Sequence, residues 1–76
     1  MYILECSTGQ LYTGYSKNIK NRITAHNKGT ASRFTRGRLP VTLVYQEKCV
    51  SRLHAIRREY EIKKMSRSQK VKLFID

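Results

Sequence analysis

The sequence predicts a small α+β domain, helices laid against a sheet, with elements in the order strand, strand, helix, strand, helix, helix. Three observations carry that expectation. Two short runs rich in aromatic and branched side chains flank a turn sequence near the N-terminus. A later run alternates apolar and polar residues with the period of a strand. After it come two segments that each open on a serine able to cap a helix.

The first pair of runs is Tyr2 to Cys6 and Leu11 to Tyr15, separated by Ser7-Thr8-Gly9-Gln10. Gly9 supplies the positive φ that a tight turn needs, so the two strands form a hairpin. Leu11, Thr13 and Tyr15 then face one way, Tyr12 and Gly14 the other. Ser16 or Asn18 caps a helix from about Ile19 to Lys28, closed by Gly29. Ile19 and Ile23 define its buried stripe, with His26 between them and Arg22 on the edge. From Gly29 to Pro40 no periodicity shows, and a loop of about a dozen residues is expected around Phe34. Val41 to Glu47 is the third strand. Ser51 caps a second helix from about Arg52 to Lys64, and Ser66-Arg-Ser-Gln69 is a capping box opening a third that ends near Phe74.

Seventy-six residues make one domain, spanning 1–76. Apolar content of 39% excludes a disordered chain, and no apolar run approaches the ~20 residues of a membrane span. The segment Met1 to Glu5 is too short for the core of a secretion signal, so a reducing, cytoplasmic setting is expected. Cys6 and Cys49 fit it: they lack the spacing of a disulfide scaffold and, with His26 and His54, that of a zinc site.

The charge is the unusual quantity. Sixteen Lys and Arg against five Asp and Glu give +11, a field that attracts polyanions, of which nucleic acid is the commonest. No acid lies between Glu5 and Glu47, a stretch holding Lys17, Lys20, Arg22, Lys28, Arg33, Arg36 and Arg38. The arginines suit phosphate, and Phe34 among them either stacks on a base or pins its loop to the core. Membrane binding is the weaker alternative, because no helix joins a wide apolar face to a basic one.

One carboxylate is oddly placed. On the second helix Leu53, Ile56 and Tyr60 form an apolar stripe continued by Ala55 and Ile62, and Glu59 falls inside that arc. It is expected either to pair with Lys63 one turn on or to hold a divalent metal beside phosphate. Tyr2, Tyr12, Arg22 and His26 are each unremarkable alone. Their joint spacing is not.

A tyrosine in the first strand, Tyr12-Thr13-Gly14 ten residues later, Arg22 ten further and His26 one turn beyond resemble the GIY-YIG endonuclease domain. The segments Gly29-Thr-Ala-Ser-Arg-Phe-Thr-Arg-Gly-Arg-Leu-Pro40 and Arg57-Arg-Glu-Tyr-Glu-Ile-Lys63 resemble its small stand-alone members, so the likeness spans essentially the whole chain. The resemblance implies a three-stranded antiparallel sheet flanked by helices. It implies Tyr2 and Tyr12 as the tyrosines of the two motifs and Arg22 as the arginine on the scissile phosphate. His26 takes the family's His or Tyr position, and Glu59 the carboxylate that binds one divalent ion, Mg²⁺ or Mn²⁺. Two features depart from the pattern: no Gly-Ile precedes Tyr2, and no asparagine follows Asn27.

On that resemblance the expected activity is metal-dependent hydrolysis of DNA phosphodiesters, in repair or processing of branched or damaged DNA, by a monomer or weak dimer. An ordinary tyrosine is only about 0.1% phenolate at neutral pH, so a tyrosine base needs neighbouring cations. Tyr12 is then the base, Arg22 the clamp and metal on Glu59 the Lewis acid, with Tyr2 and His26 orienting water and phosphate and His26 the alternative base. Two other readings stay open: a non-catalytic basic module that binds nucleic acid through Lys17, Lys20, Lys28, Arg33, Phe34, Arg36 and Arg38, and a small ribosome-associated protein.

Overall fold

Strand β1 (Tyr2–Cys6) is the centre of a three-stranded sheet of order β2-β1-β3, antiparallel on both sides, in a computed structural model that describes residues 1–75. β2 (Leu11–Gly14) returns from the hairpin turn, where Gly9 has φ +93° and Cys6 N–H donates to the Gln10 carbonyl at 2.8 Å. β3 (Val41–Gln46) pairs on the other side, with an irregularity between Ile3 and Leu4. The strand period of two sends Tyr2, Leu4 and Cys6 to one face and Ile3 to the other. Each face builds its own core. Tyr2, Leu4, Cys6 and Val41 pack with Ile19 and Ile23, while Met1, Ile3 and Ile62 pack with Met65 and Leu73. The fold class is the expected one.

Helix α1 (Ile19–Asn27) covers the first face. Asn18 is its cap, accepting from Asn21 N–H at 3.0 Å, and Gly29 turns the chain away with φ +79°. The Asn27 amide then clamps both backbone groups of Val41, accepting from its N–H at 2.8 Å and donating to its carbonyl at 3.3 Å. That clamp sets the start of β3 against the end of α1.

The segment expected as plain loop holds a one-turn helix, α2 (Arg33–Arg36), capped by Ser32. Four residues are too few to display a helical period, and only the burial of Thr35, at 0% exposure, reveals why the turn is there. The Leu39–Pro40 peptide that follows is cis.

Helix α3 (Arg52–Lys63), capped by Ser51, covers the second face but not with the expected side. Leu53, Ile56 and Tyr60 are 58%, 42% and 62% exposed, so that part of the predicted apolar stripe is a surface feature and only its continuation is buried. Ala55 and Ile62 are the buried residues. In this orientation the Arg58 guanidinium grips Glu47 through Nε and Nη2 at 2.8–3.0 Å while Tyr45 donates to the same carboxylate at 2.5 Å. A forked ion pair is directional in a way apolar contact is not, and small Ala55 lets the backbone close up beside it. Helix α4 (Arg67–Val71) has the expected capping box but ends before Phe74, continuing as turns. Arg67 ties it to the Gly9 carbonyl at 2.5 Å. Cys6 and Cys49 are free thiols. No helix of the described residues is long and apolar enough to cross a membrane.

Candidate active site

The site begins with a buried hydrogen-bond chain. Tyr2 stands in the central strand and reaches across β2, its ring passing directly over Gly14. A Cβ at position 14 would lie 2.8 Å from Tyr2 Oη and 2.9 Å from Cζ, so only glycine leaves room for the phenol. Tyr2 Oη meets His26 Nε2 at 3.0 Å, and His26 Nδ1 meets Thr35 Oγ1 at 2.8 Å. The Ser32 carbonyl gives the chain its direction. Thr35 donates its hydroxyl to that carbonyl at 3.3 Å, which leaves its oxygen to accept from Nδ1–H. Nε2 then carries the lone pair and accepts from Tyr2.

Electrostatics agree with that assignment. Burial, and after it the charge of Arg22, holds the His26 pKa below its ordinary 6.5, so the imidazole is neutral. Burial pushes Tyr2 up to about 12, and Tyr12 adds to the rise; Arg22 opposes it and Glu59 reinforces it. Tyr2 is therefore a held proton donor at neutral pH. Tyr2 bonds His26 and packs with it against the Tyr12 ring, and the charges of Arg22 and Glu59 both act on its hydroxyl.

Their exposures separate their capabilities. Tyr2 and His26 are 2% and 1% exposed, whereas Tyr12 is half-buried and meets solvent. Expected as an alternative base, His26 has both nitrogens occupied and no open path to water. The Tyr12 ring sits edge-on to His26, centroids 5.0 Å apart, and 6.0 Å from Phe34 on its other flank. Arg22 is exposed on α1 and lines a cleft of about 400 Å³ with Tyr15, Ser16, Lys17 and Arg52. A larger hollow of about 460 Å³ opens beside it at Met1, Ile19, Cys49 and Ala55, away from the five residues.

Glu59 lies at the margin of the buried side of α3, not inside an apolar arc. Its carboxylate accepts from Lys63 Nζ at 2.7 Å, the pairing that i,i+4 spacing allows. Among the described residues no three His, Cys, Asp or Glu side chains cluster as a metal cage. A divalent ion at Glu59 would take one protein carboxylate and complete its shell from water and phosphate, which is how Mg²⁺ commonly binds. Lys63 is 53% exposed, so an ion competing for the carboxylate displaces a solvent-facing ammonium. The donor set fits such an ion.

Around this core Lys17, Lys20, Lys28, Arg33 and Arg36 are exposed, and no described carboxylate forms an ion pair with them. Phe34 is 38% exposed beside Tyr12, so it borders the site as well as bracing its loop. Arg38 differs from the rest. One of its N–H groups donates to the Phe34 carbonyl at 2.6 Å and its guanidinium lies 4.3 Å over the Phe34 ring, so it also braces that ring. Thr35 was not singled out by the sequence; its one signal there is the Ser32 cap preceding it.

A family model described as the GIY-YIG catalytic domain matches residues 1–72. A UPF0213 protein of Halobacterium salinarum is 49% identical over 74 residues, covering 97% of this chain and 96% of its own length. A UPF0213 protein of Staphylococcus haemolyticus is 51% identical over 73 residues, covering 96% and 89%. The solution NMR structure of a UPF0213 protein from Bacillus halodurans matches with TM-score 0.59 and 44% identity, covering 95% of this chain and 77% of that one.

Proposed function

The chain belongs to the GIY-YIG family of nucleases, and from that premise we propose that it is a divalent-metal-dependent endonuclease that hydrolyses DNA phosphodiester bonds, directed by backbone and structure more than by base sequence. The observation that supports the reading is the cluster in which buried Tyr2 bonds His26 and both rings pack against half-buried Tyr12, with the charges of Arg22 and Glu59 acting on the Tyr2 hydroxyl. GIY-YIG nucleases in general act on DNA and use divalent metal ions.

The residues divide the work by exposure. Tyr12, half-buried where Tyr2 and His26 are fully buried, takes a proton from the attacking water. Arg22, exposed one turn from His26, clamps the scissile phosphate and compensates the charge that develops on its oxygens. Tyr2 and His26 form the rigid floor: the Thr35–His26–Tyr2 chain fixes the rings against which Tyr12 packs. Glu59 would hold Mg²⁺ or Mn²⁺, which when bound would supply Lewis-acid stabilisation at the leaving 3′ oxygen. Lys17, Lys20, Lys28, Arg33 and Arg36 follow the phosphate backbone, with Phe34 against sugar or base. Few elements of so small a domain are free to enter a groove, which is why branched or damaged DNA in repair or processing suits it.

The test is nicking of supercoiled plasmid and of a branched oligonucleotide with Mg²⁺ or Mn²⁺, with Glu59→Gln as control. Ion-dependent nicking lost in Glu59→Gln while DNA binding persists is the expected result. The Glu59–Lys63 ion pair favours a second reading, a non-catalytic nucleic-acid-binding module in which that carboxylate is structural. Salt-sensitive binding with no cleavage, indifferent to metal and to Glu59→Gln, would establish it.

A further inference from the structure

Helix α3 leaves an apolar line uncovered. Leu53, Ile56 and Tyr60 recur at i, i+3 and i+7, on one strip of the helix, and all three are more than two-fifths exposed. A contiguous exposed apolar strip on a chain carrying +11 contributes nothing to the core and marks a surface made for contact.

The strip adjoins the candidate site. At about 100° per residue, Ile56 lies roughly 60° around the helix from Glu59 and Tyr60 roughly 100°. Moving outward from the Glu59 carboxylate, the surface presents Arg52 and Lys63, then Ile56, Tyr60 and Leu53, then Lys64 and Arg57. Among the described residues no carboxylate pairs with Arg52, Arg57 or Lys64. The acid on the far side of the helix, Glu61, is engaged by Arg58 at 3.6 Å. The Lys64 ammonium sits 4.2 Å from the Tyr60 ring centroid, and Tyr60 is nonetheless 62% exposed.

An apolar line with an aromatic ring, bordered by Arg57 and Lys64 on one side and by Arg52, whose Nε donates to Tyr15 Oη at 3.0 Å, on the other, complements a partner that alternates flat apolar groups with anions. Single-stranded DNA is such a partner: bases stack on aromatic and aliphatic side chains while phosphates meet the cations. A second copy of the chain is the poorer match, because it would set the same cations against each other. We infer that this face of α3 receives unpaired nucleotides of the DNA flanking the scissile phosphate, with bases against Ile56 and Tyr60 and phosphates against Arg52, Arg57 and Lys64. Bases inside a continuous duplex have both faces covered and gain nothing from the strip, so it selects DNA with a flap, a frayed end or a single-stranded branch. The inference rests on the nuclease reading for the position of the scissile phosphate; the binding surface does not require catalysis.

Binding is measured without divalent ion, by fluorescence anisotropy, on a duplex bearing a single-stranded flap and on the same duplex blunt-ended. A 2-aminopurine in the flap reports stacking by quenching. Tyr60→Ala and Ile56→Ser are expected to weaken flap binding about tenfold, to change blunt binding less than about twofold and to remove the quenching, while Tyr60→Phe retains all three. Arg57→Gln is expected to reduce the steepness of the salt dependence by about one ion, which Tyr60→Ala leaves unchanged. Wild-type flap binding in Tyr60→Ala and Ile56→Ser would overturn the inference, as would equal losses on both DNAs. A dimer in sedimentation that Ile56→Ser dissociates would overturn it too, giving the strip to self-association. Glu59-dependent nicking with flap binding indifferent to Tyr60 removes this surface and keeps the nuclease; Tyr60-dependent flap binding in a chain that nicks nothing does the reverse.

Discussion

Replacing Thr35 by valine removes one hydroxyl from the middle of the buried chain while keeping the branched shape that fills the space. Thr35 is 0% exposed and His26 1%, so water does not take the place of the missing oxygen. The His26 Nδ1–H loses its 2.8 Å acceptor and becomes an orphaned buried donor. A buried polar group left without a partner costs about 1–3 kcal/mol, so the variant is expected to lose ~2 kcal/mol. In a domain of this size that is a fall in Tm of roughly 8–16 °C. Urea unfolding followed by circular dichroism at pH 7.5 measures it, with Thr35→Ser, which keeps the hydroxyl, expected to lose less than about 1 kcal/mol. The slack His26 should also loosen the floor under Tyr12 and slow plasmid nicking about tenfold. A Thr35→Val protein within about 0.5 kcal/mol of the parent would refute the hydrogen-bond chain, because an isosteric change at a buried, bonded hydroxyl has no other way to be silent.

Gly14→Ala should be worse for activity than for folding. Its Cβ would fall 2.8 Å from Tyr2 Oη, forcing the phenol off His26, so nicking is expected to drop at least about a hundredfold with a stability loss of about 1–3 kcal/mol by urea unfolding. His26 sets an acid limb: the unfolded chain protonates it near the ordinary 6.5 while the folded chain resists, so its contribution is full above 6.5 and is lost as pH falls below. Tyr2 sets an alkaline limb. The unfolded phenol ionises near 10 and the folded one near 12, so stability falls across that interval, and Tyr2→Phe should flatten the fall in urea midpoints taken between pH 9 and 12. Arg58→Gln, which leaves Glu47 and Tyr45 without their forked partner, is expected to cost about 1–3 kcal/mol at pH 7. Arg58 and Tyr45 hold Glu47 below its ordinary 4.5, so the parent's advantage over Arg58→Gln should shrink as pH falls below 4.5.

Much of this molecule is legible in its sequence because the signals involved are local. The hairpin rests on Gly9, the helix starts on Asn18, Ser51 and Ser66, and strand alternation on a period of two; each is decided within a few residues. The excess of uncompensated cations between Glu5 and Glu47 is likewise a property of composition alone. The approach of Tyr2, Tyr12 and His26 was suggested by spacing, since ten residues bring a hairpin strand back beside its partner. Three decisions belonged to the tertiary structure. Which part of the apolar arc of α3 faces the sheet, Ala55 and Ile62 and not Leu53, Ile56 and Tyr60, goes with a fork between Arg58 and Glu47, eleven residues apart. The one-turn helix α2 is too short for periodicity and exists to bury Thr35. Thr35 meets His26 only because α1 and α2 fold over the same face of β1, and a hydrogen bond between elements depends on their packing, which no run of neighbouring residues encodes.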